Sequence, residues 1–168
     1  MDVVSVGRIS VDFYAQEPNH GFDEQQSFTK SIGGSPTNLA IAAARLGNHA
    51  ALVTKVGSDG FGDYAITKLK NFGVDTGFVG RQEGGQTPLA LAALTPPESP
   101  SVIFYRGSAA PDTTILSTDV PARVIQECKV LWISHTTLST GSTADACIEF
   151  MKLRTREQHT ILDLDYRP

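Results

Sequence analysis

Hydrophobic and polar positions along the chain alternate between buried-strand runs and helical spacings. Val3-Val4-Ser5-Val6-Gly7 is a short apolar run closed by glycine, the pattern of a buried strand. Arg8 to Tyr14 follows at once and carries Asp12 just past the end of that strand. Residues 16–26 are polar and turn-rich, and Phe28 to Ile32 alternates like a second strand segment. Asn38 to Leu46 is strong helix-forming sequence stopped by Gly47. Ala50 to Val56 reads as another core strand. Asp59-Gly60-Phe61-Gly62-Asp63 opens a further helix, in which Tyr64, Ile66, Leu69 and Phe72 recur at roughly helical spacing before Gly73. Leu89–Thr95 and Ser101–Arg106 flank Pro96-Pro97-Glu98-Ser99-Pro100 and predict a β-hairpin with a proline-rich tip. A short helix over Asp119 to Glu127, a strand over Val130 to Ser134, a helix over Thr143 to Glu157 and a strand over Thr160 to Asp165 complete the pattern.

Strands alternating with helices imply an α/β fold with a parallel sheet flanked by helices. The segments 8–32 and 86–106 break that rhythm and predict a small β layer, a lid hinged onto the α/β body. The last strand has nothing after it to cover the sheet edge, so the chain reads as shorter than a complete fold.

Within this frame the stretch Ile32-Gly33-Gly34-Ser35-Pro36-Thr37-Asn38 concentrates the chemistry. Two glycines permit unusual backbone angles and close approach of a ligand. Ser35 is placed as the N-cap and Pro36 as the first helical residue, so free N–H groups face whatever lies over the corner. Two readings stay open on these residues alone: a well-capped loop-to-helix junction, or a ligand cradle in which Asn38 supplies a donor and an acceptor.

Composition narrows the classes. The 168 residues suffice for one domain, and 40% hydrophobic with 19% charged residues is ordinary globular content. A net charge of −4, without clustered Lys and Arg, argues against nucleic acid as a partner. No apolar run reaches the ~18 residues of a membrane span, and no basic-then-apolar leader precedes Val3. Cys128 and Cys147 have no metal-type spacing to the four histidines and are expected as buried free thiols, which points to the cytoplasm. His135 is expected as a structural hydrogen-bonder, and Asp59 and Asp63 as helix-start carboxylates. Gly57, Gly60 and Gly62 do not fit a dinucleotide-binding spacing.

Gly33-Gly34-Ser35-Pro36-Thr37-Asn38-Leu39-Ala40, with Gly47 and Gly57 at their spacing, resembles the first signature of the ribokinase/PfkB carbohydrate kinases. Val6-Gly7-Arg8, Val11-Asp12, Val56-Gly57 and Asn71 to Thr76 resemble the same family in the same order, over the N-terminal half of a member. The resemblance implies a ribokinase-like fold, with residues 1–168 as the N-terminal part of the kinase domain. Gly7 to Tyr14, Phe104-Tyr105-Arg106 and Asp163 to Pro168 are most similar to the family's acid-sugar kinases, which use ATP to phosphorylate a primary hydroxyl.

Carried onto matching positions, the resemblance implies that Asp12 accepts sugar hydroxyls, that Gly33 and Gly34 let the main chain approach the sugar, and that Asn38 bonds a hydroxyl. It implies that Arg106 forks onto the substrate acid, that Tyr105 and Phe104 line the pocket, and that Arg167 lies near the acid or the transferring phosphate. ATP and Mg²⁺ are the implied cofactors, and a homodimer through the β lid is an implied partner. The family's Gly-Ala-Gly-Asp and Asn-x-x-Glu motifs do not occur in these 168 residues. No catalytic base or metal ligand is therefore assigned in this chain. A fructokinase-like sugar kinase and a non-catalytic sugar-binding module are the alternatives.

Overall fold

The structure, a computed structural model, describes residues 1–95, 98–139 and 141–164. Its elements are β1 (Val3–Val6), β2 (Ser10–Ala15), β3 (Phe28–Gly33), α1 (Ser35–Arg45), β4 (Ala50–Gly57), α2 (Gly60–Asn71), β5 (Val79–Gln82), β6 (Leu89–Ala93), β7 (Ser101–Tyr105), α3 (Ala122–Glu127), β8 (Val130–Ser134), α4 (Ser142–Lys152) and β9 (His159–Asp163). They form two sheets. The body sheet has the order β5-β4-β1-β8-β9 and all its pairings are parallel. The smaller sheet, β3-β2-β6-β7, is antiparallel except between β2 and β6.

Central body strands are apolar on both faces because helices cover both. Val4, Val6, Ile125, Leu131, Ile133 and Phe150 share one fully buried cluster with α3 and α4. Ile9, Val11, Leu52, Val56 and Leu69 form a second, which runs from the body into the base of the small sheet. The small sheet is thus welded to the body by shared core at Ile9 and Val11, directly after β1. Cys128 and Cys147 are free and buried, and burial raises both thiols above their ordinary pKa.

Local chemistry explains where the elements stop. The N-cap of α1 is Gly34, one residue before the expected Ser35. Gly34 has φ +108°, which favours glycine, and its carbonyl accepts the first helical bond from Asn38 N–H at 2.9 Å. In α2 the N-cap is Asp59, whose carboxylate accepts from Gly62 N–H at 2.8 Å, as expected. The helix expected over 119–127 is split by Pro121 into a 3₁₀ turn, Ser117–Asp119, and α3. The helix expected to reach Glu157 ends at Lys152. There Arg154 turns back to donate to the carbonyls of Ile125, Cys128 and His159, and Thr155 and Gln158 close a local polar turn. Strand β5 was not legible as a strand. It is an edge element with no alternating pattern, and Gly80 lets it pack against the Lys55 side chain.

At the other edge, β9 leaves Ile161 and Leu162 exposed although they belong to a core-type parallel strand. The expected hairpin of β6 and β7 is present, but its tip residues Pro96 and Pro97 lie outside the described residues.

Asp59 also holds the two sheets together. Its carboxylate accepts from Thr87 N–H and Thr87 Oγ1, each at 2.8 Å, and Thr87 Oγ1 in turn accepts from Gly57 N–H at 3.0 Å. Burial opposes ionisation of Asp59, but the hydrogen bonds from Thr87 and Gly62 outweigh it and lower its pKa. A lowered pKa means that its stabilisation is complete above the unfolded-state value and is lost as pH falls through the folded one. Asp59→Asn is expected to cost about 1–2 kcal/mol at pH 7. Urea unfolding should show the deficit shrinking as pH falls through the carboxylate range; an unchanged deficit would exclude the charge as its source.

Candidate functional site

The pleat of β2 sends Ser10, Asp12 and Tyr14 to one face of the small sheet and Val11 and Phe13 to the core side. Ser10 Oγ donates to Asp12 Oδ1 at 2.6 Å, and Tyr14 Oη donates to Asp12 Oδ2 at 3.2 Å. Burial first, and then the neighbouring Asp12 charge, raise the Tyr14 phenol above its ordinary pKa, so it remains the donor. Asp12 is thereby a carboxylate of set orientation with lone pairs left for a ligand.

Across the sheet Asp12 stands opposite Ala90 on β6, and Ala90 stands opposite Phe104 on β7. The small side chain of Ala90 leaves room between a carboxylate and an aromatic ring. Gly33 sits on the other side of Asp12, and a Cβ there would lie 2.0 Å from Asp12 Oδ2. At Gly34 a Cβ would lie 2.3 Å from the Arg8 carbonyl oxygen. That carbonyl also accepts from Thr37 Oγ1 at 3.1 Å, which seats α1 against the loop between β1 and β2. The result is a cavity of about 250 Å³ between body and small sheet, lined among others by Arg8, Ser10, Asp12, Gly34, Asn38 and Phe104. It lies outside the C-terminal end of β1, where ligands bind in open α/β sheets.

A larger depression of about 550 Å³ lies on the opposite face of the small sheet, with Lys30, Phe61, Leu89 and Tyr105 in its lining. Its carboxylate, Asp59, is already engaged by Thr87 and Gly62. Uncommitted polar groups converge instead on the smaller cavity, which is the better candidate.

Two expected site residues are placed differently. Tyr105 stands opposite Leu89, in the row next to Ala90 and Phe104. One residue along a strand reverses the face, so Tyr105 lines the larger depression and Phe104 alone of the pair faces Asp12. Arg106 faces a separate, very small polar cavity. Its Nη2 donates to Asp112 Oδ2 at 2.6 Å and its Nε to Asp112 Oδ1 at 3.3 Å. Asp112 is only 3% exposed and sits in a 3₁₀ turn, Pro111–Thr113, whose carbonyl at Asp112 accepts from Thr143 Oγ1 on α4. The fork of Arg106 is therefore turned to a buried carboxylate of its own chain. Arg167 lies outside the described residues.

Residues that sequence reasoning passed over are Arg8, Ser10, Tyr14 and Asp112. The i, i+2 spacing of Ser10, Asp12 and Tyr14 was a readable signal for three side chains on one strand face. Nothing local announced Asp112 as the partner of Arg106. Among the described residues no group of His, Cys, Asp and Glu is placed to hold a metal ion, and no helix is long and apolar enough to cross a membrane.

A parallel body sheet flanked by helices, with a smaller mixed sheet folded over the C-terminal end of β1, defines the ribokinase-like class of α/β folds. The chain aligns with a sugar kinase from Pyrococcus horikoshii solved in complex with ATP at TM-score 0.86 and 25% identity, covering 98% of this chain and 53% of that one. A fructokinase from Xylella fastidiosa aligns at TM-score 0.86 and 27% identity, covering 99% and 51%. All of residues 1–168 match the pfkB family carbohydrate kinase pattern, and the chain belongs to that family. It is 34% identical over 171 residues to the 5-dehydro-2-deoxygluconokinase of Clostridium tetani, covering 99% of this chain and 50% of that protein. The same enzyme of Geobacillus kaustophilus is 35% identical, with 100% and 50% covered. The chain thus spans about half the length of the curated relatives it matches.

The two glycines of the corner separate in their expected effects. Gly34→Ala meets backbone at a positive φ and is expected to destabilise by about 2 kcal/mol or more. Gly33→Ala meets a side-chain carboxylate that can rotate away. It is expected to leave most of the stability and to displace Asp12, visible as weakened ligand binding at a nearly unchanged melting temperature. Asp112→Ala leaves the partly buried Arg106 without its partner, for an expected loss of about 3 kcal/mol in urea unfolding.

Proposed function

We propose that the chain is the sugar-binding half of an ATP-dependent kinase that phosphorylates a primary hydroxyl of an acidic monosaccharide, with 5-dehydro-2-deoxygluconate as the substrate. The observation that carries this reading is Asp12, held by Ser10 and Tyr14, beside Gly33 and facing Asn38 across one cavity. A fixed carboxylate accepts two hydroxyls of a polyol, the side-chain amide of Asn38 donates or accepts at another, and Gly33 and Gly34 keep the cavity floor at main-chain level. Phe104 offers an apolar wall to the sugar's carbon face.

The substrate assignment draws on the curated relatives, named 5-dehydro-2-deoxygluconokinase, and on arginines at and beside the cavity. In this reading Arg106 supports the acid end from the adjoining cavity and Arg167 approaches the acid or the phosphate. A 2-dehydro-3-deoxygluconokinase or fructokinase-like specificity is the alternative, the latter resting on the aligned Xylella enzyme. ATP enters from the Pyrococcus and Xylella structures solved with it, and Mg²⁺ as the ion that phosphoryl transfer from ATP requires. The described residues do not form a Mg²⁺ site, so the role assigned to this chain is to bind and orient the sugar. A cytoplasmic location and pairing of two copies through the small sheet, whose Ile103 and Tyr105 are exposed, belong to the same proposal.

Calorimetric titration of the 168-residue chain tests it. Binding of 5-dehydro-2-deoxygluconate is expected, weakened about 10–100-fold by Asp12→Asn, with no ATP consumption above the blank. Failure to bind the acid sugar or fructose would overturn the sugar-site reading. ATP turnover by the chain alone would overturn its restriction to binding.

A further inference from the structure

We infer that Arg8 is the residue of this cavity that selects an acidic over a neutral sugar, with Phe104 as the platform that holds its guanidinium. The inference rests on the acid-sugar reading above and assigns the selection to a residue the sequence did not single out.

Three observations carry it. Among the described lining residues of the 250 Å³ cavity, Arg8 is the one cationic side chain. Its guanidinium carbon lies 5.6 Å from the centroid of the Phe104 ring, within the range of a cation–π contact. The contact joins the loop at the root of β2 to strand β7. It therefore places the charge over the row Asp12, Ala90, Phe104, with Asp12 at the far end. Third, the main chain of Arg8 is fixed at the cavity floor. Its carbonyl packs against Gly34 and accepts from Thr37, and the following Ile9 is fully buried.

Arg106 cannot take the same part without giving up Asp112. Its two fork nitrogens are both on that buried carboxylate, and the charge of the pair is internally offset. Arg8 also borders the small cavity that holds this pair, so Arg106 and Asp112 form a wall beside the Arg8 side chain. A planar guanidinium resting on a ring presents its edge N–H groups in a fork that suits a carboxylate bound bidentately. A sugar held by its hydroxyls on Asp12 and Asn38 would then have its acid end directed toward Arg8. A neutral sugar gains nothing from that charge.

The test compares the 168-residue chain with its Arg8→Gln, Arg8→Lys and Phe104→Leu variants. The titrants are 5-dehydro-2-deoxygluconate and neutral fructose, and melting curves establish that each variant is folded. Arg8→Gln is expected to weaken binding of the acid about 10–100-fold and that of fructose less than about 3-fold. Arg8→Lys should recover part of the acid affinity, because charge is restored without the fork. Phe104→Leu should also reduce acid affinity, since the guanidinium loses its platform. Added salt should weaken acid binding by the parent chain more than by Arg8→Gln.

Equal weakening for both sugars would mark Arg8 as merely structural and overturn the inference. Unchanged acid affinity in Arg8→Gln overturns it while leaving the sugar reading intact. If the parent chain binds fructose and not the acid, the acid reading falls and this inference with it. If it binds neither, the whole sugar-site reading falls. Should Arg8→Gln fail to fold, Arg8→Lys and Phe104→Leu decide the matter by the same acid-to-neutral ratio.

Discussion

The close approach of the Gly34 main chain to the Arg8 carbonyl is the constraint on which the rest of the site depends. There is no space for a Cβ between them, and Gly34 turns the chain at a positive φ into α1 at the same point. Through Thr37 that helix is tied to the loop connecting β1 of the body to β2 of the small sheet. Ser5, buried in β1, donates to the Pro36 carbonyl and secures the junction from below. One tight corner thus sets the angle between two sheets, and the cavity is the space that angle leaves.

Within the cavity, pleat and register decide which side chains meet. Ser10, Asp12 and Tyr14 share a face because strand side chains repeat every second residue. Pairing with β6 and β7 then aligns Asp12 with Ala90 and Phe104. A slip of one residue on β7 would exchange Phe104 for Tyr105 and present a phenol where a bare ring now stands. The same discrimination governs the arginines. Arg106 follows the last residue of β7 and turns to a carboxylate buried under α4, whereas Arg8 leaves the β1–β2 loop on the cavity side. Charge of the same sign is present at both, but only one is directed at the ligand space.

Much of the architecture was legible in advance. Runs such as Val3 to Val6, Ala50 to Val56 and Val130 to Ser134 are long enough in apolar residues to mark buried parallel strands. The Gly33-Gly34 corner, the capped helix after Asp59 and the β6–β7 hairpin were equally plain. What escaped were features supported by partners distant in sequence. Strand β5 forms because Thr54 to Gly57 offers it an edge, not because its own residues repeat in any pattern. Helix α4 stops at Lys152 because Arg154 reaches carbonyls on α3 and β9, a destination no local propensity encodes.

The candidate site divides the same way. By itself, the amino-acid order determined that Asp12 would follow a core strand and that two glycines would precede a helix. It also determined that a small sheet would interrupt the α/β rhythm, since these depend on short-range periodicity and backbone freedom. Only the tertiary structure decided which face of β7 looks inward, that Asp112 captures Arg106, and that Arg8 rests on Phe104 above the Gly33-Gly34 corner. Those outcomes depend on strand register and on charge pairs between distant segments. Both are settled only when the whole core is packed, and the corner that first drew attention is where that packing brings Arg8, Asp12 and Asn38 around one space.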